Sequence, residues 1–310
     1  MRTNKKVKDL QRKLNKVLNL KLRVDGDYGN VTKNAVKRFQ SVFGLVSDGD
    51  AGQKTLKKLD TVCAAMVSQK SLLNFGKRRF VVFVDAGHGG ISEDNEYVTK
   101  GKRGYHPSKE LHRGGHYYEG LENRIVAENF IEACTNVGIM CIRTYHPYKD
   151  TNLSERTELI RSWLRRGYYG YMHSFHSNAI SADNSASKLE STQGFCVYTT
   201  RDKTFSDLIA QQHFDNVKET IGKDNWTFRE QKYRDGDSDF EANFQMLRQT
   251  DLSEFDWFGS ILDEWGFHTS ATDCEFITEP KNRDLRVEAC LKTARWVKTE
   301  LNRTKPYVGR

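Results

Sequence analysis

Long apolar runs, tight cysteine pairs and proline-rich stretches are all missing from this chain. No apolar stretch approaches the roughly 20 residues that cross a bilayer as a helix, so no stable membrane insertion is expected. With 4 prolines in 310 residues and no low-complexity tract, the composition leaves no room for an extended proline spacer or a disordered tail. Six cysteines (Cys63, Cys134, Cys141, Cys196, Cys274, Cys290) form no CxxC pair and lie mostly among apolar neighbours. They read as buried thiols, not as a disulfide frame or a zinc knuckle, which fits a reducing compartment. Met1 to Lys8 is polar and basic with no apolar segment behind it, so no secretory signal is recognisable and the cytoplasm is the expected place of synthesis.

What is present suits a folded protein: 37% hydrophobic and 11% aromatic residues, in a length that predicts two domains or one domain with an appendage. The net charge of +8 is unevenly placed. Residues 1 to 62 hold 15 Lys and Arg against 6 Asp and Glu, a net of +9, which leaves the rest of the chain at −1. A small basic module suggests an acidic polymer as partner, and charge alone leaves nucleic acid, an anionic wall polymer and a membrane surface open.

The first sixty residues contain a repeat. Asp25-Gly26-Asp27-Tyr28-Gly29-Asn30-Val31-Thr32 returns 23 residues later as Asp48-Gly49-Asp50-Ala51-Gly52-Gln53-Lys54-Thr55. Each Asp-Gly pair suits a tight turn, and each Thr stands where a hydroxyl could cap a new helix. Val7, Leu10, Leu14, Val17 and Leu18 before the first copy, and Ala35, Val36 and Phe39 after it, fall at helical spacing, so three short helices are predicted. The Asp-rich turns do not make calcium loops, because Gly29 and Gly52 occupy the fifth position and Val36 and Leu59 the twelfth, where ligands belong. The segment resembles the peptidoglycan-binding domain of many wall hydrolases through Leu10-Gln11, Asp25-Gly26, Gly29, Thr32, Ala35-Val36, Phe39-Gln40, Gly44-Leu45, Asp48-Gly49, Gly52 and Thr55. That resemblance implies a three-helix unit that binds glycan or stem peptide and does no chemistry. The expected boundaries are a binding module over 1–65, a linker over 66–79 and a second domain over 80–310.

From Phe80 the pattern changes to alternating strands and helices. Strands are predicted at Phe80–Val84, Gly138–Thr144, Tyr168–Phe175, Gly194–Thr199 and Ile261–Phe267, and helices near Leu121–Val137, Leu153–Arg166, Phe205–Ile221 and Arg283–Leu301. The fold class is therefore α/β: a mostly parallel twisted sheet flanked by helices, preceded by the small all-α module. Functional groups of such sheets gather at the strands' carboxyl ends.

His88 stands there, in Asp85-Ala86-Gly87-His88-Gly89-Gly90, and His176 in Ser174-Phe175-His176-Ser177-Asn178 takes the matching place after a later strand. A lone His in a glycine turn is as readily a backbone cap as a ligand, but two at strand ends make a zinc site plausible, with a carboxylate as third ligand and one position open. His173 and Asp263 should point to the other faces of their strands. The carboxylate is expected at the next helix start, where Glu119 and Glu122 both qualify; either could also be an ordinary first-turn acid. Glu264, in Asp263-Glu264-Trp265-Gly266-Phe267, is placed to handle a proton, or else is a plain strand-end acid.

These residues resemble the zinc N-acetylmuramoyl-L-alanine amidases of bacterial autolysins and phage endolysins, over residues 80 to about 300. The resemblance implies one catalytic zinc held by His88, Glu119 and His176, with Glu264 catalytic. Glu119 is favoured over Glu122 because Glu119, Asn123, Ala127 and Gly138 fit the family's helix frame. Between Gly90 and Glu119 the chain departs from the family: it is long, basic and aromatic, with Lys100, Lys102, Arg103, Tyr105, His106, His112, His116, Tyr117 and Tyr118. We expect it to face substrate, with Arg103, Tyr118 and Asn178 in contact, or else to be a solvated surface; His112 or His116 is a reserve ligand. The implied activity is hydrolysis of the amide between N-acetylmuramic acid and L-alanine, with peptidoglycan as partner, anionic wall polymers as a second one, no nucleic acid, and a monomeric state. An endolysin that accumulates in the cytoplasm and acts at the wall after release fits these features. The rivals are a zinc endopeptidase of the stem peptides and a wall-binding protein without activity.

Overall fold

A computed structural model describes residues 4–18, 20–43, 45–72, 79–201, 203–231, 236–251 and 257–303. Gly44 and residues 73–78 of the expected linker lie outside the described residues.

Helical spacing of apolar residues builds the first unit. Leu10, Leu14, Val17 and Leu18 of α1 (Lys5–Leu18), Ala35, Val36 and Phe39 of α2 (Asn30–Val42) and Leu59 and Val62 of α3 (Gln53–Leu72) share one buried cluster. The third helix runs to Leu72, past the boundary expected at 65. Each repeated turn is closed by a buried glutamine. The Gln11 amide nitrogen donates to Asp25 Oδ1 (2.9 Å), the Asp27 carbonyl (3.0 Å) and Thr32 Oγ1 (3.1 Å), and its oxygen accepts from the Gly26 amide (3.0 Å). Gln40 repeats the set on Asp48, Asp50, Thr55 and the Gly49 amide. Gly26 and Gly49 have φ of +84° and +79°, the left-handed backbone that glycine adopts without strain. The threonines do not take the capping role that the sequence suggested, because the helices start earlier: Thr32 and Thr55 sit inside the first turn and donate back to the carbonyls of Asp27 and Asp50.

The second unit begins with β1 (Phe80–Ala86), β2 (Arg103–Tyr105), β3 (His116–Tyr118), α4 (Glu119–Asn136), β4 (Met140–Arg143), α5 (Leu153–Leu164), β5 (Tyr169–Asn178) and α6 (Ala186–Ser191). It continues with β6 (Phe195–Thr199), α7 (Phe205–Ile221), β7 (Phe240–Glu241), α8 (Gln245–Arg248), β8 (Phe258–Phe267), α9 (Ala271–Thr278) and α10 (Pro280–Arg303). Six strands form one sheet in the order β4-β1-β5-β8-β6-β7, parallel except where β6 pairs antiparallel with β8. Side chains alternate across the sheet, so each strand feeds two cores. Val82, Val84, Tyr171, Phe175, Ile261 and Trp265 pack under α4, α7 and α10, whereas Val81, Phe83, Met172 and Leu262 pack against α5 and α8. The long insertion between Gly90 and Glu119 folds in part into the antiparallel hairpin β2–β3, which alternation of apolar residues did not announce.

Candidate active site

The turn after β1 is shaped by its neighbours. His88 has φ of +64°, a left-handed conformation that costs about 1–2 kcal/mol for a residue with a Cβ. Two buried arginines hold it there. Arg124 Nη2 donates to the His88 carbonyl at 2.7 Å, and Arg156 reaches the same oxygen at 3.3 Å and the Ala86 carbonyl at 2.7 Å. Arg156 also pairs with Asp85 (2.9 Å), whose other oxygen accepts from Ser174 Oγ (2.6 Å). Burial pushes the Asp85 carboxyl up, but Arg156 and the Ser174 and Thr144 hydroxyls outweigh it and hold the group below the usual range. Gly87 is required for a different reason: a Cβ there would lie 2.1 Å from His176 Cε1.

This frame brings three of the expected residues together. His176 Nδ1 lies 3.1 Å and His88 Nε2 3.3 Å from Glu119 Oε1, and the Ser177 amide donates to that oxygen at 3.2 Å. Glu119 is 1% exposed beneath two histidines that are 17% and 20% exposed, so the cluster is closed below and open above. Burial raises the Glu119 carboxyl, yet hydrogen bonds and charge from His176 and His88 more than reverse this and hold it well below the usual range. Its second oxygen, Oε2, is buried with no hydrogen-bond partner.

Glu264 pairs in register with His176 across β5 and β8, at the same sheet edge. Burial and then the Glu119 charge push its carboxyl well above the usual range, and Lys102 of the insertion acts in the opposite direction. Its Oε2 also lacks a partner.

Glu122 is elsewhere. Fully buried, it accepts from Arg283 Nε (2.9 Å), Arg286 Nη1 (3.0 Å) and His112 Nε2 (2.9 Å), which makes it the anchor of a closed ionic network. His112 spends its other nitrogen on the Tyr118 amide at 2.9 Å, and His116 stacks between Tyr105 and Tyr118. Neither joins the His88 cluster. Tyr118 is 7% exposed, with its ring stacked on Tyr97, a packing position more than a contact surface. Arg103 is exposed on β2, and Asn178 is half-buried at the end of β5. One neighbour carried no signal that we read in the sequence: His268 Nδ1 lies 3.8 Å from Glu119 Oε2 and 3.1 Å from the Ser177 carbonyl, and only its place just beyond Gly266-Phe267 marked it.

Residues 3–59 match the model of a peptidoglycan binding domain. That module is joined to an α/β domain with an open His–Glu cluster at its sheet edge. Residues 82–293 match the N-acetylmuramoyl-L-alanine amidase model, and the chain belongs to that family. The fold is similar to that of an N-acetylmuramoyl-L-alanine amidase from Clostridium difficile 630, with 20% identity, a TM-score of 0.52, and coverage of 74% of this chain and 100% of that one. It is also similar to an amidase of Nostoc punctiforme, with 20% identity, a TM-score of 0.50, and coverage of 72% and 97%. Over 38 residues, 12% of its length, the chain is 53% identical to the zinc D-Ala-D-Ala carboxypeptidase of Streptomyces albus G, and it spans 15% of that relative.

Proposed function

We propose that His88, Glu119 and His176 hold a single zinc ion and that the protein hydrolyses the amide between the lactyl group of N-acetylmuramic acid and L-alanine. One observation carries this reading: two imidazole nitrogens and a carboxylate oxygen lie within 4.8 Å of one another, beneath an open face, beside two carboxylate oxygens without partners. Three protein donors with one position left free is the donor set of a catalytic zinc, and among the described residues no arginine or lysine forms an ion pair with Glu119. Bound there, zinc supplies Lewis acidity toward the amide carbonyl and toward water.

The chain's own residues then have distinct tasks. Glu264, with its carboxyl pushed up by burial and by Glu119, is suited to take up and release a proton. It takes one proton from the attacking water while the water oxygen bonds to the carbonyl carbon. As the C–N bond breaks, Glu264 returns that proton to the alanine nitrogen, so that a lactyl carboxylic acid and a free peptide amine leave, and the acid then gives up its remaining water-derived proton to the amine or to solvent. His268, buried beside Glu119, limits the orientations open to that carboxylate. Arg103 and Asn178, at the rim, are the residues we assign to substrate.

Glu264→Gln tests the assignment. The variant should keep its zinc and lose wall lysis by at least 100-fold, the lower range for a general acid–base group; full activity removes Glu264 from the reaction. Mass spectrometry of wild-type digests should show muramic acid freed of intact stem peptides. Peptides cut internally would mean an endopeptidase instead. We further propose that the protein acts as an endolysin: co-expressed with a membrane-permeabilising protein it should lyse the bacterium that produces it, and unchanged lysis with the Glu264→Gln form would reject that.

A further inference from the structure

His173 lies three residues before His176 on the opposite face of β5, and Asp263 precedes Glu264 on β8; neither takes part in the site above. They meet beneath the helices. His173 Nε2 lies 2.6 Å from Asp263 Oδ2, His213 Nε2 of α7 lies 3.0 Å from the same oxygen, and Cys290 Sγ of α10 lies 4.0 Å from His173 Nε2. All four residues are 0% exposed, and one donor atom from each lies within 4.8 Å of the others.

The surrounding contacts leave one carboxylate oxygen without a partner. Thr293 Oγ1 lies 2.8 Å from His213 Nδ1 and 3.1 Å from the Ala289 carbonyl, and it accepts from the Asn216 amide at 3.0 Å. Either a proton on a ring nitrogen or a metal ion fits between the imidazoles and the Asp263 carboxylate. The proton satisfies Oδ2, which already accepts from the Trp265 indole at 2.9 Å, and leaves Oδ1 buried with no partner. A metal ion engages the carboxylate, both imidazoles and the thiol together.

We propose that His173, His213, Asp263 and Cys290 bind a second zinc ion in a closed structural site that ties β5 and β8 to α7 and α10. Four protein donors of nitrogen, oxygen and sulfur chemistry, shut off from solvent, are what a structural zinc takes, in contrast to the three-donor open cluster at the sheet edge. Zinc–ligand lengths of about 2.0–2.3 Å in a tetrahedron put neighbouring donors roughly 3.3–3.6 Å apart; Asp263 Oδ2 stands closer than that to both imidazoles and Cys290 Sγ a little farther, so an ion would part the carboxylate from the rings and draw the thiol in. His213 is oriented by its hydrogen bond to Thr293, as ligating histidines generally are by their second nitrogen. The proposal is independent of the catalytic reading, because the two clusters share no residue.

Metal counting on the full chain tests it. Elemental analysis should find two zinc ions per wild-type chain and one in the double variant His88→Asn/His176→Ala, which lacks the open cluster. Cobalt substituted into that double variant should show a near-ultraviolet thiolate-to-cobalt charge-transfer band, because the only thiol in either cluster is Cys290. Adding Cys290→Ser should abolish the band. A double variant without metal, cobalt bound without the band, or a band that survives Cys290→Ser overturns the proposal. One zinc in both wild type and double variant would support the buried site and reject zinc at the open one.

Discussion

Glu119 and Glu122 show how far the fate of a side chain depends on what approaches it. Both open the same helix, three residues apart, and both are buried. Glu122 meets two guanidinium groups from α10, and its charge is fully matched inside the protein. Glu119 meets two imidazoles that can lend their lone pairs to a cation, and it keeps one oxygen free. His88 adds a backbone condition to its chemical one, because its positive φ excludes most replacements. His88→Asn should therefore be the cleaner probe: Asn tolerates left-handed backbone, so the turn should persist while the imidazole is lost. The expected outcome is one zinc fewer per chain by elemental analysis, with unchanged circular dichroism. Retention of the full zinc content would remove His88 as a ligand.

Among elements, the two Asp-Gly turns of the binding module carry a device that is the same in both copies. A glutamine from the preceding helix, buried to 2% at Gln11 and 1% at Gln40, makes four hydrogen bonds to its turn. Truncation strands several buried polar groups, each worth about 1–3 kcal/mol when left unpaired. Gln40→Ala should lower the stability of this module by at least about 1–3 kcal/mol. Hydrogen exchange would read this as faster exchange in α2 and α3, with the sheet of the second unit unaffected. Protection equal to wild type in those helices would mean the turn does not depend on Gln40.

At the scale of the molecule, the two units touch through a few polar contacts. Lys58 of α3 pairs with Glu132 and donates to Asn129 (2.9 Å) on α4, and the Arg38 guanidinium lies 3.6 Å over the Tyr148 ring. Beside this junction runs a cleft of about 660 Å³, lined from the module by Lys37 and Arg38 and from the insertion by Ser92, Arg113 and Tyr118. Among the described residues no helix is long and apolar enough to cross a membrane. With the positive charge concentrated in residues 1–62, retention on isolated walls should carry an electrostatic share from anionic wall polymers. Co-sedimentation with cell walls should fall as ionic strength rises through about 0.15 M, where the Debye length is about 8 Å, and fall again once anionic polymers are extracted from the wall. Retention indifferent to both treatments would assign recognition to uncharged glycan or peptide alone.

The amino-acid order by itself determined the local features: the helices and strands set by apolar periodicity, the Asp-Gly repeat, the histidines and acids after strands, and the resemblance carried by Gly87-His88-Gly89-Gly90 and Glu264-Trp265-Gly266-Phe267. These depend on near neighbours along the chain, where spacing is itself the physical constraint. Only the tertiary structure decided the pairings across long separations. It paired Glu122 with Arg283 and Arg286, brought His268 to Glu119, and gathered His173, His213, Asp263 and Cys290 behind the sheet. It likewise packed Tyr118 onto Tyr97, although its place in a basic-aromatic insertion suggested exposure. Such contacts join residues up to 164 positions apart, and nothing in local spacing encodes which buried charge will meet which partner.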